Sequence, residues 1–389
     1  MFKLLKGGRV FSPDEQGRHD ILLCGEIIAA MNPSIEAPRG IQADVYDLDG
    51  ACILPGFIDQ HVHLIGGGGE AGFATRTPEV TLSGVTRWGI TTVVGCLGTD
   101  GVTRHLAGLL AKARGLECEG ISAYMYSGSY QVPPVTLTGS IRSDIVLIDK
   151  VIGAGEIAIS DHRSSQPSVQ QLKALAAESR TGGMLSGKAG IVNVHVGSGR
   201  RTLEPLIEIV ETSEIPISQF MPTHVNRCAP LLDSAIGWGR RGGYLDVTTG
   251  VSPDEGFGEA IKPSTALRDI FEAGVAPELV TMSSDGNGSM PVFDERGNLQ
   301  RLLVAPLKSL YLEFVDSVTR EGIPLGLAAS VITSNVAKAL RLYPRKGCVA
   351  PGSDADLVVL DSGLRIAQVW ARGRLMVMDG ECVVKGTFE

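Results

Sequence analysis

Phe57-Ile58-Asp59-Gln60-His61-Val62-His63-Leu64 follows Pro55-Gly56 and reads as a short buried strand ending in two histidines one residue apart. Residues i and i+2 of a strand share a face, so His61 and His63 can present two imidazoles to one point. Histidine is the commonest metal ligand. A strand that ends this way would begin a metal site at the mouth of a barrel. Two histidines at a strand end are equally ordinary as polar residues. The metal reading therefore depends on whether the rest of the chain supplies further ligands.

Upstream, residues 1–54 read as β-structure. Asp20-Ile21-Leu22-Leu23, Glu26-Ile27-Ile28-Ala29-Ala30, Val45-Tyr46-Asp47-Leu48 and Cys52-Ile53-Leu54 are short apolar runs separated by Gly, Asn and Pro, the pattern of hairpins. Pro55-Gly56 marks a boundary. Downstream the character changes. Strands are predicted at 57–63, 91–98, 121–127, 151–159, 190–196, 220–225, 243–249 and 280–285, and amphipathic stretches at 104–117, 169–181, 230–240 and 307–321. Eight strand–helix repeats predict an α/β fold, a (β/α)8 TIM barrel over 55–344. Residues 345–389 return to β, with strands at 356–360, 366–371 and 374–378. Head and tail are each too short to bury a core alone. They are expected to join into one small β-sandwich domain beside the barrel.

Composition narrows the function. The chain has 389 residues, 43 acidic and 35 basic, for a formal net charge of −8. It has no long basic run, so nucleic acid is not an expected partner. It has no run of eighteen apolar residues and no apolar signal-like core at its start, so no membrane is expected either. Seven scattered cysteines without a Cys-x-x-Cys read as free thiols in a reducing, cytoplasmic compartment.

In a (β/α)8 barrel the chemistry sits at the C-terminal ends of the strands. There the sequence offers His61 and His63, then Glu156 in the fourth strand, His195 ending the fifth, His224 the sixth and Asp285 the eighth. His19, His105 and His162 fall outside the scheme and read as surface or structural residues. Each of His195 and His224 alone reads as structural, but with the His-x-His pair they form a pattern. Four imidazoles and two carboxylates exceed what one tetrahedral zinc takes. They suit two ions about 4 Å apart with a carboxylate between them and a shared hydroxide as nucleophile. The donor types favour Zn, with Mn, Co or Fe as other divalent choices.

The chain resembles the amidohydrolase superfamily, and within it the bacterial isoaspartyl dipeptidase family. The resemblance is carried by Pro55 through Gly72, by Ile159-Ser160-Asp161-His162-Arg163-Ser164, by Pro222-Thr223-His224-Val225-Asn226-Arg227 and by Ser283-Ser284-Asp285-Gly286-Asn287-Gly288-Ser289, and it runs to the closing Val384-Lys385-Gly386-Thr387-Phe388-Glu389. His-x-His marks only the superfamily; the glycine loop with Glu70 and the His-Arg and Asn-Arg pairs are more specific. The resemblance implies a binuclear metallo-dipeptidase that hydrolyses β-aspartyl dipeptides to Asp and an amino acid. It implies two Zn2+ per subunit, His61 and His63 on one with Asp285 near it, and His195 and His224 on the other. Asp285 would shuttle the proton from the attacking hydroxide to the leaving amine, and Tyr130 would donate to the oxyanion. A homo-oligomer, often an octamer, is implied as well. The family bridges its metals with a carbamylated lysine. Here the aligned position is Glu156, whose carboxylate is expected to bridge instead although its side chain is shorter.

Charges near the metals describe the ligand. Arg163 and Arg227 suit a carboxylate, which guanidinium binds bidentately. Glu70 suits an ammonium, and the glycines before it let backbone N–H groups approach a second carboxylate. One ammonium and two carboxylates around an amide make a small zwitterionic dipeptide. The resemblance adds Gly68, Gly69, Thr99, Tyr130 and Ser289 to the pocket. The competing readings are a hydantoinase or N-acyl amino acid deacylase, for which Glu70 has no use, and a metal-free non-catalytic homologue.

Overall fold

The computed structural model describes residues 2–37, 40, 42–293, 296 and 298–389. Five strands come first: β1 (Phe2–Phe11), β2 (Glu15–Cys24), β3 (Ile27–Asn32), β4 (Ala43–Asp47) and β5 (Cys52–Pro55). Then β6 (Phe57–Val62), β7 (Ile90–Gly95), β8 (Ser122–Ser127), β9 (Val151–Ile159), β10 (Ile191–Val196), β11 (Phe220–Thr223), β12 (Leu245–Thr248) and β13 (Val280–Ser283) form one parallel eight-stranded sheet in sequence order. The expected eight strands are all present, within a few residues of their predicted ends. Helices cover the outside: α1 (Leu82–Thr86), α2 (Leu106–Glu119), α3 (Ile141–Leu147), α4 (Val169–Ser186), α5 (Glu204–Glu211), α6 (Ala229–Arg240), α7 (Pro263–Glu272) and α8 (Lys308–Thr319), then α9 (Leu325–Ser330) and α10 (Ser334–Ala339). Among the described residues no helix is long and apolar enough to cross a membrane.

The sheet closes into a (β/α)8 barrel through loops rather than a full ladder between β6 and β13. The Ile58 N–H donates to the Ile332 carbonyl (2.8 Å), the Met282 N–H to the Val331 carbonyl (2.9 Å), and the His63 N–H to the Gly286 carbonyl (2.9 Å). The turn between α9 and α10 thus stitches the seam. Barrel strands buried on both faces need not alternate apolar and polar residues, and Ile90-Thr91-Thr92-Val93-Val94 is buried at every position. The interior also holds a polar layer that the sequence reading did not anticipate. Buried Asp246 accepts hydrogen bonds from Gln60 Nε2, Thr281 Oγ1 and Thr223 Oγ1, each at 2.7 Å, so one carboxylate ties four strands together.

Both chain ends build a nine-stranded sheet, order β19-β18-β17-β16-β5-β1-β2-β3, with β4 also on β1; its tail strands are β16 (Leu357–Leu360), β17 (Ile366–Ala371), β18 (Arg374–Met378) and β19 (Glu381–Cys382). Between barrel and tail a hairpin, β14 (Ser289–Phe293) and β15 (Leu299–Val304), follows the eighth barrel strand. The sheet folds over on itself. Tyr46 on β4 packs edge-on against Trp370 on β17 (4.9 Å), although these strands are not neighbours. Leu5, Val10, Ile21, Leu23, Ile53, Leu357 and Trp370 form its sandwich core. β1 was not predicted, because Lys6-Gly7-Gly8-Arg9 interrupts any alternation. The structure shows why the interruption is there: a register shift lies between Leu5 and Gly8, and a Cβ on Gly8 would stand 2.3 Å from Ile53 Cδ1. The hairpin β14–β15 was also not predicted.

Candidate active site

The strand ends bring the predicted residues together. His61 lies in β6 and His63 just past it; Glu156 lies in β9, His195 in β10, His224 just past β11 and Asp285 two residues past β13. All six are buried. Glu156 stands at the centre. Its Oε1 is 2.8 Å from His195 Nδ1 and 3.2 Å from His224 Nε2, while its Oε2 is 3.3 Å from His61 Nε2 and 3.8 Å from His63 Nε2. One oxygen therefore faces each histidine pair. Asp285 Oδ1 lies 3.0 Å from His63 Nε2 and 3.6 Å from His61 Nε2.

The reach of the short glutamate has a local cause. Val192 pairs with Ala154 but Val194 pairs with Ile157, so β9 carries one residue more than β10 across Gly155-Glu156. An extra residue of this kind bends the strand and re-aims a side chain. Gly155 allows the close passage: a Cβ there would meet the Asn193 Cβ at 2.9 Å. His224 (φ 64°) and Asp285 (φ 55°) both hold the left-handed backbone region, which costs a non-glycine residue about 1–3 kcal/mol and clusters at functional sites.

The electrostatics favour ionised carboxylates among imidazoles. Burial alone would raise the Glu156 carboxyl, but His61, His195 and His224 hold it well below the usual range. At Asp285 burial again opposes, and the hydrogen bond from His63 with the charges of His224 and His61 brings it to about 2. Burial, helped by His195, pushes His224 down to about 3, leaving the neutral imidazole that a metal needs. Among the described residues, both nitrogens of His61, Nδ1 of His63 and Oε2 of Glu156 are buried without a hydrogen-bond partner. Native interiors rarely leave such atoms unpaired. The donor set, imidazole nitrogens and carboxylate oxygens with unspent lone pairs, fits divalent cations. Two groups of ligand atoms lie within 4.8 Å of one another: His61, His63, Cys96 and Glu156, and Glu156, His195 and His224.

Two buried acceptors orient the outer histidines. His195 Nε2 is 2.8 Å from Asp161 Oδ2, and His224 Nδ1 is 2.8 Å from Thr248 Oγ1. Neither partner was singled out from the sequence. Asp161 stood inside a quoted motif, but nothing in that motif says that its side chain turns toward β10. Cys96 was likewise read as an ordinary buried thiol. His162 is exposed, as expected for a residue outside the set.

A cleft of about 260 Å3, lined in part by Gly68, Gly69, Glu70 and Thr99, adjoins a narrow recess where Glu70, Thr99, Tyr130, Ser289, His63 and Asp285 meet. Thr99 Oγ1 donates to Glu70 Oε1 (3.0 Å), while Glu70 Oε2 is buried and unpartnered. Ser289 Oγ and Arg227 Nε are buried and unpartnered as well. Tyr130 is buried, its phenol pushed well above its usual range by that burial, and its hydroxyl lies 2.9 Å from His195 Nδ1. Arg163 donates to both oxygens of Asp161 (3.0 and 2.8 Å), lies 3.6 Å from Glu70 Oε1 and sits over the Tyr130 ring at 5.4 Å. Arg104, buried and in no ion pair among the described residues, donates to the carbonyls of Ile65, Gly67 (2.7 Å) and Thr77 (3.1 Å), which pins the glycine loop in front of Glu70.

Residues 239–388 match the profile of the amidohydrolase family. A dihydroorotase of Staphylococcus aureus (strain MRSA252) is 41% identical over 91 residues, a match that spans 23% of this chain and 20% of that enzyme. A dihydropyrimidinase of Brevibacillus agri NCHU1002 shares the fold at a TM-score of 0.69 with 18% identity, over 99% of this chain and 97% of that one. Much more similar is a beta-aspartyl dipeptidase of Fervidobacterium islandicum AW-1, solved with beta-Asp-Leu: TM-score 0.92 and 44% identity over 98% of this chain and 97% of that chain. Identity at that level over nearly the full length of both chains means that this chain belongs to the amidohydrolase family, among its beta-aspartyl dipeptidases, and is a hydrolase.

Proposed function

We propose that the chain hydrolyses β-aspartyl dipeptides to Asp and an amino acid. The observation that carries this reading is Glu70: it lines the recess shared with Tyr130, Asp285 and His63, and its buried Oε2 has no hydrogen-bond partner among the described residues. A carboxylate there accepts from an ammonium held one residue's length from the scissile amide. A β-linked aspartyl residue keeps its α-ammonium and α-carboxylate free, and no cyclic amide offers an ammonium. Gly68, Gly69, Thr99 and Ser289 line the same space and suit the α-carboxylate. Arg227 and Arg163 suit the carboxylate of the leaving residue.

In this reading two divalent ions, zinc by donor type, would be held by His61, His63, His195, His224, Asp285 and Glu156, the last at the position of the family's modified lysine. When bound they activate water and polarise the carbonyl. Asp285 takes the proton of the attacking water and passes it to the leaving nitrogen as the C–N bond breaks. Tyr130, kept neutral by burial, donates its O–H to the oxygen on which charge develops. The chain divides into a barrel at 55–344 and a small domain from 1–54 and 345–389, and works as a homo-oligomer.

The test is one assay of metal-replete protein with β-Asp-Leu, α-Asp-Leu and dihydrouracil. Cleavage of β-Asp-Leu well above the other two is expected. No cleavage of β-Asp-Leu would overturn the reading, and preference for dihydrouracil would replace it with a hydantoinase.

A further inference from the structure

Cys96 stands one residue past β7, at the rim of the barrel interior, and is fully buried. Its Sγ lies within 4.8 Å of ligand atoms of His61, His63 and Glu156. Its Sγ donates to the Val62 carbonyl at 3.8 Å, weak even for a thiol, and its other polar neighbour is the His61 side chain. The nitrogens of His61, Nδ1 of His63 and Oε2 of Glu156, all around it, are buried and unpartnered. A core cysteine ordinarily behaves as a small hydrophobe. This one shares its space with three side chains that offer unspent lone pairs. Among the described residues, no other cysteine joins such a group.

We propose that Cys96 is a metal ligand whose thiolate completes a four-donor set with His61, His63 and Glu156. The inference rests on the metal reading above and adds a residue to it. The two ions are then held unequally. One set has four protein donors, the closed count of a zinc site. The other, Glu156, His195 and His224, has three and keeps an open position for water or substrate. Binding breaks the S–H bond, forms a sulfur–metal bond and releases one proton to solvent, with no change of oxidation state. The soft donor favours zinc, cobalt or cadmium over magnesium or manganese at that position. With four donors present, Asp285 need lend the metals no more than one oxygen and keeps the other for proton transfer.

The test is titration of metal-free, full-length protein with Co2+. Visible ligand-field bands report cobalt binding, and a near-ultraviolet thiolate-to-cobalt charge-transfer band reports the Co–S bond. Wild type is expected to show both. Cys96→Ser and Cys96→Ala are expected to keep ligand-field bands, lose the charge-transfer band and bind the tighter ion more weakly by at least the roughly 10–100-fold that loss of a supporting partner costs. Ligand-field bands without charge transfer in wild type, or a charge-transfer band that survives in Cys96→Ser, would overturn the role of Cys96 and leave the metal reading intact. No cobalt bands at all would overturn both. If a variant fails to fold, the wild-type spectrum decides alone.

Discussion

Glu156 shows how one residue solves a problem of reach. Glutamate is a short side chain, yet its two oxygens lie 2.8–3.8 Å from all four site histidines. The strand, not the side chain, makes up the difference, by the extra residue in β9. In the proposed function Glu70 is the residue on which substrate choice would turn. Glu70→Gln keeps shape and removes the charge. A hydrogen bond to a charged group contributes about 1.5–3 kcal/mol, so kcat/KM for β-Asp-Leu should fall roughly 10- to 150-fold. An unchanged kcat/KM would show that Glu70 does not hold the ammonium.

At the scale of elements, the join between tail and barrel depends on a buried cation. Lys346 lies between α10 and β16, almost fully buried, with its Nζ 2.7 Å from Asp354 and 2.5 Å from Asp356. Asp356 in turn accepts from the Arg372 N–H (2.7 Å), and its carbonyl accepts from the Gly56 N–H at the entry to the barrel (2.7 Å). Removing one partner of a buried pair leaves uncompensated charge and costs about 3–5 kcal/mol. Lys346→Met should lower stability by about that much in denaturant unfolding, whereas Arg9→Met, in an exposed pair with Glu15, should change little. Burial would lower the Lys346 ammonium, but Asp356 and Asp354 outweigh it and raise it above its usual value. A raised amine contributes fully below the unfolded value near 10.4 and loses that contribution as pH rises through the folded value. The gap between wild type and Lys346→Met should therefore stay constant from neutral pH to about pH 10 and narrow only in stronger alkali. A gap that closes between pH 6 and 8 would contradict the pairing.

For the whole molecule, a metal bound at this site would couple to the fold. Five strands and the loops after them converge on buried imidazoles and carboxylates whose lone pairs are unspent. Ions that bind only the folded chain stabilise it by mass action, about 4 kcal/mol at a thousandfold excess over Kd. Chelation should lower Tm, and zinc in bicarbonate-free buffer should restore both Tm and β-Asp-Leu cleavage, since Glu156 carries its own carboxylate. A need for bicarbonate would return the bridge to a lysine. The sequence by itself determined the barrel, the pairing of head and tail, and the histidines of the rim, because alternating apolar runs and a His-x-His at a strand end are local patterns. It also put Glu156 where the resemblance expects a lysine, because that is a change of letter within a motif. Only the tertiary structure decided how Glu156 reaches both histidine pairs, that Asp161 and Thr248 orient His195 and His224, that Asp246 ties the barrel interior, and that Cys96 joins His61 and His63. Each of those depends on which residues of different strands stand opposite one another. Strand register is set by packing across the barrel, and a single extra residue in β9 shifts it in a way no local pattern records.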